Sequence, residues 1–159
     1  MKTVAEGQKA PAFKGTDQNG KIISLKDFSG KKLVIYFYPK DLTSTCTVQA
    51  CNLRDNYGAL TKKGINIVGI NADDMALHLK FANKHKLPFP LIADTSHNII
   101  DKYGVWGEKM LYGKKYLGLF RTTFLIDEKG IIQKIITKPK SKDHAAEILA
   151  AWIQADEKI

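Results

Sequence analysis

A chain of 159 residues with 44% hydrophobic and 26% charged side chains can build a packed core without disulfide or metal staples, which excludes disordered and collagen-like classes. The net charge of +9 comes from 25 basic and 16 acidic residues. The lysines are dispersed, as at Lys31-Lys32, Lys62-Lys63 and Lys114-Lys115, with no basic block and no interleaved aromatics, so a solvated surface is expected rather than a nucleic-acid partner. No stretch approaches the ~20 apolar residues of a membrane span, and the first eight residues lack the apolar run of a signal peptide. The expectation is one cytoplasmic domain over residues 1–159, with no membrane partner.

Near the N-terminus, Asp17-Gln18-Asn19-Gly20 lies between two short apolar segments and predicts a β-hairpin, because Asn-Gly accepts positive φ. Residues 33–38 are apolar throughout and rich in β-branched and aromatic types, which suits a strand buried on both faces. Over residues 44–63 an approximate stripe of Val48, Cys51, Leu53, Tyr57 and Leu60 predicts one helix, closed by Gly64. A second buried strand spans residues 65–70. The next helix covers residues 74–85, with Met75, Leu77, Leu79 and Phe81 on it, and stops at Leu87-Pro88-Phe89-Pro90. Residues 91–93 read as a short strand and 98–103 as a short helix. Residues 122–127 and 131–136 read as a hairpin across Glu128-Lys129-Gly130, and residues 141–155 as a terminal helix with Ile148, Leu149, Trp152 and Ile153 inward. This order predicts an α/β architecture, a central mixed β-sheet flanked by helices, with an N-terminal β-hairpin.

Cys46 and Cys51 are the chain's two cysteines. They follow the most hydrophobic stretch, across the polar run Pro39-Lys40-Asp41-Leu42-Thr43-Ser44-Thr45. A cysteine in the first turn of a helix feels the partial positive charge of the helix N-terminus, which favours thiolate over thiol. In a reducing compartment a permanent structural disulfide is disfavoured, so such a pair points to redox chemistry or to metal. The four histidines, His78, His85, His97 and His144, stand far apart in polar contexts and are expected to be solvated, without a catalytic role.

Several separated motifs in one order carry a resemblance. They are Gly7-Gln8-Lys9-Ala10-Pro11-Ala12-Phe13, Tyr36-Phe37-Tyr38-Pro39-Lys40-Asp41, Cys46-Thr47-Val48-Gln49-Ala50-Cys51 with Arg54-Asp55, Tyr103-Gly104-Val105-Trp106-Gly107-Glu108, and Arg121-Thr122-Thr123-Phe124-Leu125-Ile126-Asp127. In these the chain resembles the peroxiredoxins, and closely their bacterioferritin-comigratory, or peroxiredoxin Q, branch, over nearly its whole length. The resemblance implies a thioredoxin-like fold and a thiol-dependent peroxidase acting on hydrogen peroxide and organic hydroperoxides. Cys46 is then the peroxidatic cysteine, oxidised to a sulfenic acid, and Cys51 the resolving cysteine that condenses with it into an intramolecular disulfide. Thioredoxin or a similar dithiol reductant is the implied recycling partner. No metal, haem or flavin cofactor is implied, and the expected state is a monomer or weak homodimer.

The resemblance assigns further residues, each with a physical reason. Thr43 offers a hydroxyl at the helix entry, Pro39 shields the sulfur because it has no N–H, and Arg121 brings a permanent charge beside the thiolate and the peroxide. Two positions depart from the usual pattern: Ser44-Thr45 stands where most relatives have Pro-Gly, and Gln49 where many have Glu. The alternative is a thiol-disulfide oxidoreductase of the same fold without peroxidase activity. Such proteins usually carry two residues between their cysteines and a cis-proline where Arg121 falls, whereas this chain has four residues between Cys46 and Cys51. A metal-binding module would need a histidine beside the thiols, and His78 is the nearest in sequence.

Overall fold

The computed structural model describes residues 4–157. The chain opens with a hairpin of β1 (Lys14–Thr16) and β2 (Ile22–Ser24), then β3 (Lys32–Phe37), α1 (Ser44–Asp55), α2 (Tyr57–Lys62) and β4 (Ile65–Asn71). It continues through α3 (Met75–His85), β5 (Leu91–Ala93), α4 (Asn98–Tyr103), β6 (Trp106–Leu111), β7 (Lys114–Leu119), β8 (Thr122–Ile126), β9 (Ile132–Ile136) and α5 (His144–Glu157). The central sheet has the order β5-β4-β3-β8-β9. Its β3–β4 and β4–β5 pairs are parallel, and its β3–β8 and β8–β9 pairs antiparallel.

Period-2 alternation along β3 divides the core. Val34, Tyr36 and Tyr38 face a layer with Leu53 of α1, Leu60 of α2, Phe81 of α3, and Ile148 and Trp152 of α5. Leu33, Ile35 and Phe37 face the opposite layer, with Ile99, Ile100 and Tyr103 of α4 and Ile23 of the hairpin. Both faces of β3 are therefore dry, as its continuous apolar run requires. At Gly69, opposite Tyr36 in the register, an added Cβ would come 2.9 Å from the Tyr36 ring and 2.8 Å from Leu91, so only glycine lets the strands carry these side chains.

Both predicted hairpin turns use one device. Asp17 Oδ1 accepts from the N–H groups of Asn19 and Lys21, each at 2.9 Å, and Gly20 adopts φ +79°. Asp127 Oδ1 does the same for Lys129 and Ile131, each at 2.9 Å, with Gly130 at φ +81°. The side-chain oxygen replaces the strand partner that a turn's N–H groups lack.

Four expectations need correction. The helix of residues 44–63 is two, because the Asn56 side chain donates to the Asn52 carbonyl at 2.8 Å and its backbone leaves helical values. Ile153 on α5, expected inward, is exposed; on α3, where no facing was assigned, Met75 and Leu79 are exposed and His78 takes the inward place. The β6–β7 hairpin was not predicted: its turn is Tyr112-Gly113, both with positive φ, and Met110, Leu111, Tyr112 and Leu117 on it are exposed. His78 and His144 are fully buried rather than solvated. Burial pushes the His144 pKa below its ordinary value while Glu147 opposes it, and Nε2 lies 2.8 Å from the Thr123 hydroxyl, tying α5 to β8.

Candidate active site

The parallel strand β3 ends at Phe37 and delivers Tyr38 to Thr43 as a loop into α1. Leu42 in this loop adopts φ +64°, a conformation that non-glycine residues adopt only when their surroundings impose it. The residue before it, Asp41, is buried and bonded on every side. Its N–H donates to Asp73 Oδ2 at 2.8 Å, its Oδ1 accepts from the Tyr38 hydroxyl at 2.6 Å and Asn71 Nδ2 at 3.1 Å, and its Oδ2 bonds His78 Nδ1. His78 Nε2 in turn donates to the Ile92 carbonyl at 2.9 Å, so both ring nitrogens are engaged. The loop is thereby pinned to β4, α3 and β5 through groups that water does not reach.

Thr43 is the residue before α1, with extended backbone, and its carbonyl accepts the Thr47 N–H at 2.9 Å. Its exposed hydroxyl donates to the Lys40 carbonyl at 2.8 Å and does not cap the helix. Pro39 is half-buried just after β3. Cys46 is the third residue of α1, so its backbone N–H belongs to the set at a helix start that lacks an intrahelical acceptor. Its residue exposure is 1%, and its thiol is free.

Arg121, between β7 and β8, reaches this sulfur: its Nη2 donates to Cys46 Sγ at 3.1 Å, and its Nη1 to Gln49 Oε1 at 2.6 Å. Gln49 is three residues beyond Cys46 and so shares its helix face. It is buried, and its neutral amide holds the guanidinium without neutralising it. Among the described residues no carboxylate forms an ion pair with Arg121, so its charge is directed at sulfur. Tyr36 is buried nearby, and desolvation above all, then the charges of Asp41 and Cys46, keep its phenol protonated far above the ordinary range. The Tyr36 hydroxyl and Gln49 Nε2 are buried without a hydrogen-bond partner.

Cys51 lies further along the same intact helix, half-buried and also free. Its Sγ is 3.8 Å from Nδ1 of His85, the last residue of α3. The histidine that reaches a thiol is thus His85 and not His78, and no cluster of three or more metal-ligating side chains occurs among the described residues. A cavity of about 490 Å³ lined by Lys9, Leu25, Phe28 and Asp127 contains none of these residues and belongs to a different part of the surface. Among the described residues no helix is long and apolar enough to cross a membrane.

A thiol held by a guanidinium at the start of a helix can attack a small electrophile and stabilise the charge its leaving group develops. The AhpC/TSA family model matches residues 6–135. The chain belongs to the AhpC/TSA family, in its Bcp/peroxiredoxin Q branch. It is 41% identical to the peroxiredoxin Bcp of Bacillus subtilis over 156 residues, covering 98% of this chain and 99% of that one. It is 40% identical to the peroxiredoxin Bcp of Escherichia coli over 154 residues, covering 97% and 98%. The Xanthomonas campestris bacterioferritin comigratory protein, whose structure was studied for alkyl peroxide reduction, superposes with a TM-score of 0.83 at 32% identity, covering 90% of this chain and 92% of that one.

As a peroxiredoxin, the chain is a thiol peroxidase with the thioredoxin-like fold its motifs implied. The structure brings Cys46 and Arg121 into contact and leaves the Thr43 hydroxyl on a backbone carbonyl. Sequence reasoning assigned no role to Asp41, Gln49, His78 or His85. The spacing of Gln49 from Cys46 was a usable signal; the other three depend on partners from distant segments.

Proposed function

We propose that the peroxidatic thiolate is Cys46, that it attacks the O–O bond of hydrogen peroxide or an organic hydroperoxide, and that Cys51 resolves the sulfenic acid as an intramolecular disulfide. The observation that carries this is the 3.1 Å contact of the Arg121 guanidinium with Cys46 Sγ. The thiolate attacks the terminal O–H oxygen to give Cys–SOH as the O–O bond breaks. The other oxygen leaves as hydroxide or alkoxide and takes a proton from solvent to become water or alcohol, and Arg121 together with the Cys46 N–H stabilises the charge on it as it departs. Pro39, without an N–H, keeps one side of the sulfur free of competing donors. The Thr43 hydroxyl, at the entry of α1, takes up the peroxide by exchanging the Lys40 carbonyl for it.

Disulfide formation requires a change of shape. Residues five apart on an α-helix have Cα atoms ~8.6 Å apart, from a 1.5 Å rise and ~2.3 Å radius, whereas a disulfide tolerates about 4.4–6.8 Å. The first turns of α1 therefore unwind after oxidation. A dithiol reductant of the thioredoxin kind then restores both thiols, in a reducing compartment such as the cytoplasm.

The test is intact-mass measurement of reduced protein before and after one equivalent of hydrogen peroxide. Loss of two hydrogens without a dimer is the expected result; a stable gain of oxygen, or a disulfide-linked dimer, refutes the intramolecular scheme. Arg121→Gln is expected to slow the first step by roughly 10²-fold, the usual cost of one charge-stabilising donor, measured as the second-order rate constant with peroxide. An unchanged constant would remove Arg121 from the mechanism.

A further inference from the structure

We infer that His85 is the general base for Cys51: its Nδ1, 3.8 Å from Cys51 Sγ, takes the thiol proton so that the thiolate can attack oxidised Cys46. This rests on the assignment of Cys51 as the resolving cysteine.

Three observations converge on the ring. The end of α3 is fixed by Arg54 of α1, which donates to the His85 backbone carbonyl at 2.8 Å, and the Phe81 ring packs edge-on against the imidazole at 5.5 Å. Its charged neighbours are Arg54 from α1 and Lys84 from its own helix, and both are cations. Partial burial first, and then these two charges, lower its pKa from the ordinary value, so the ring is neutral near pH 7 and its Nδ1 can accept. Once protonated, the imidazolium occupies the C-terminus of α3, the negative end of the helix dipole.

The step balances. The S–H proton of Cys51 passes to Nδ1, an S–S bond forms as the S–O bond of Cys46–SOH breaks, and the departing hydroxide recovers the proton through solvent, leaving water and a neutral His85. The first turns of α1 carry Cys46 toward Cys51, and the proton moves to the ring as the S–S bond forms.

The size of the effect is bounded. An ordinary thiol, with a pKa of about 8.5, is roughly 3% ionised at pH 7, so a base that makes the thiolate available adds at most about 30-fold.

The experiment mixes reduced wild type, His85→Ala and His85→Gln with hydrogen peroxide, quenches with a thiol-alkylating agent, and counts sulfenic acid and disulfide by intact mass against time and pH. The expected result at pH 7 is disulfide formation about ten-fold slower in both variants, a deficit that closes as pH rises past the ordinary thiol range near 8.5, and partial recovery with added imidazole. His85→Gln keeps a polar group that can accept a hydrogen bond but not a proton, so wild-type speed in that variant makes the contact one of packing and overturns the inference. Faster disulfide formation in His85→Ala also overturns it, since the contact would then be a latch that opposes unwinding. If wild type itself forms no intramolecular disulfide, it is the assignment of Cys51 that fails, a result distinct from either outcome at His85.

Discussion

Cys46→Ser is expected to abolish peroxide consumption, whereas Cys51→Ser is expected to consume one equivalent and stop. Serine preserves the size and the helix start, and leaves the Arg121 guanidinium and the Gln49 amide that holds it. What it removes is the soft sulfur nucleophile that attacks a peroxide oxygen. The donors around the site stabilise charge but supply no electron pair, so the turnover left should match the uncatalysed rate. In Cys51→Ser the first chemistry survives, and the sulfenic acid on Cys46, denied its partner, climbs to the sulfinic acid as peroxide is raised. Peroxide consumption in the presence of a dithiol, with intact mass on the same samples, separates the two. Residual turnover in Cys46→Ser would place the nucleophile elsewhere. Full turnover in Cys51→Ser would mean that the reductant attacks the sulfenic acid directly.

The parts of the fold legible in the sequence are those whose signal is local. The apolar runs of β3 and β4 could hardly be anything but strands buried on both faces, and the Asp-x-x-Gly turns at Asp17 and Asp127 carry their own hydrogen bonds. The β6–β7 hairpin escaped because Tyr112, a bulky residue at φ +51°, stands where asparagine or glycine would advertise the turn. The break after Asp55 escaped because it depends on how one asparagine side chain chooses between water and the Asn52 carbonyl. At the candidate site the two cysteines were visible at once, since strand, loop and helix start are contiguous. The contact of Arg121 with Cys46 spans 75 residues, that of His85 with Cys51 spans 34, and that of His78 with Asp41 spans 37. Arg121 was reached only through resemblance, and the histidines were misjudged because the burial of a polar side chain is decided by a partner that periodicity does not reveal.

The largest stability effect should come from that last pair. His78→Leu is expected to lower unfolding free energy by about 3–5 kcal/mol, because it leaves Asp41 buried without its partner. The Ile92 carbonyl, which loses the His78 donor, accounts for part of that cost. Removing both members tells a different story: Asp41→Ala with His78→Leu has no stranded charge, and the well-packed apolar replacement of a buried pair is often close to neutral. The double variant should therefore be more stable than His78→Leu alone, with a coupling on the order of 2–3 kcal/mol in a double-mutant cycle from urea midpoints at unchanged m-value. Additive effects would show that the two side chains do not act as a pair. The same variants should slow Cys46 oxidation even where they fold, since Asp41 adjoins Leu42, whose positive φ starts the turn into α1. With the carboxylate gone, the Asp73 contact to the Asp41 N–H remains but the bonds to Tyr38, Asn71 and His78 do not, so the loop relaxes toward ordinary backbone values. The sulfur then loses its alignment with Arg121. A double variant that regains stability but not the rate constant with peroxide would identify the buried pair as what holds the entry to the helix in its reactive shape.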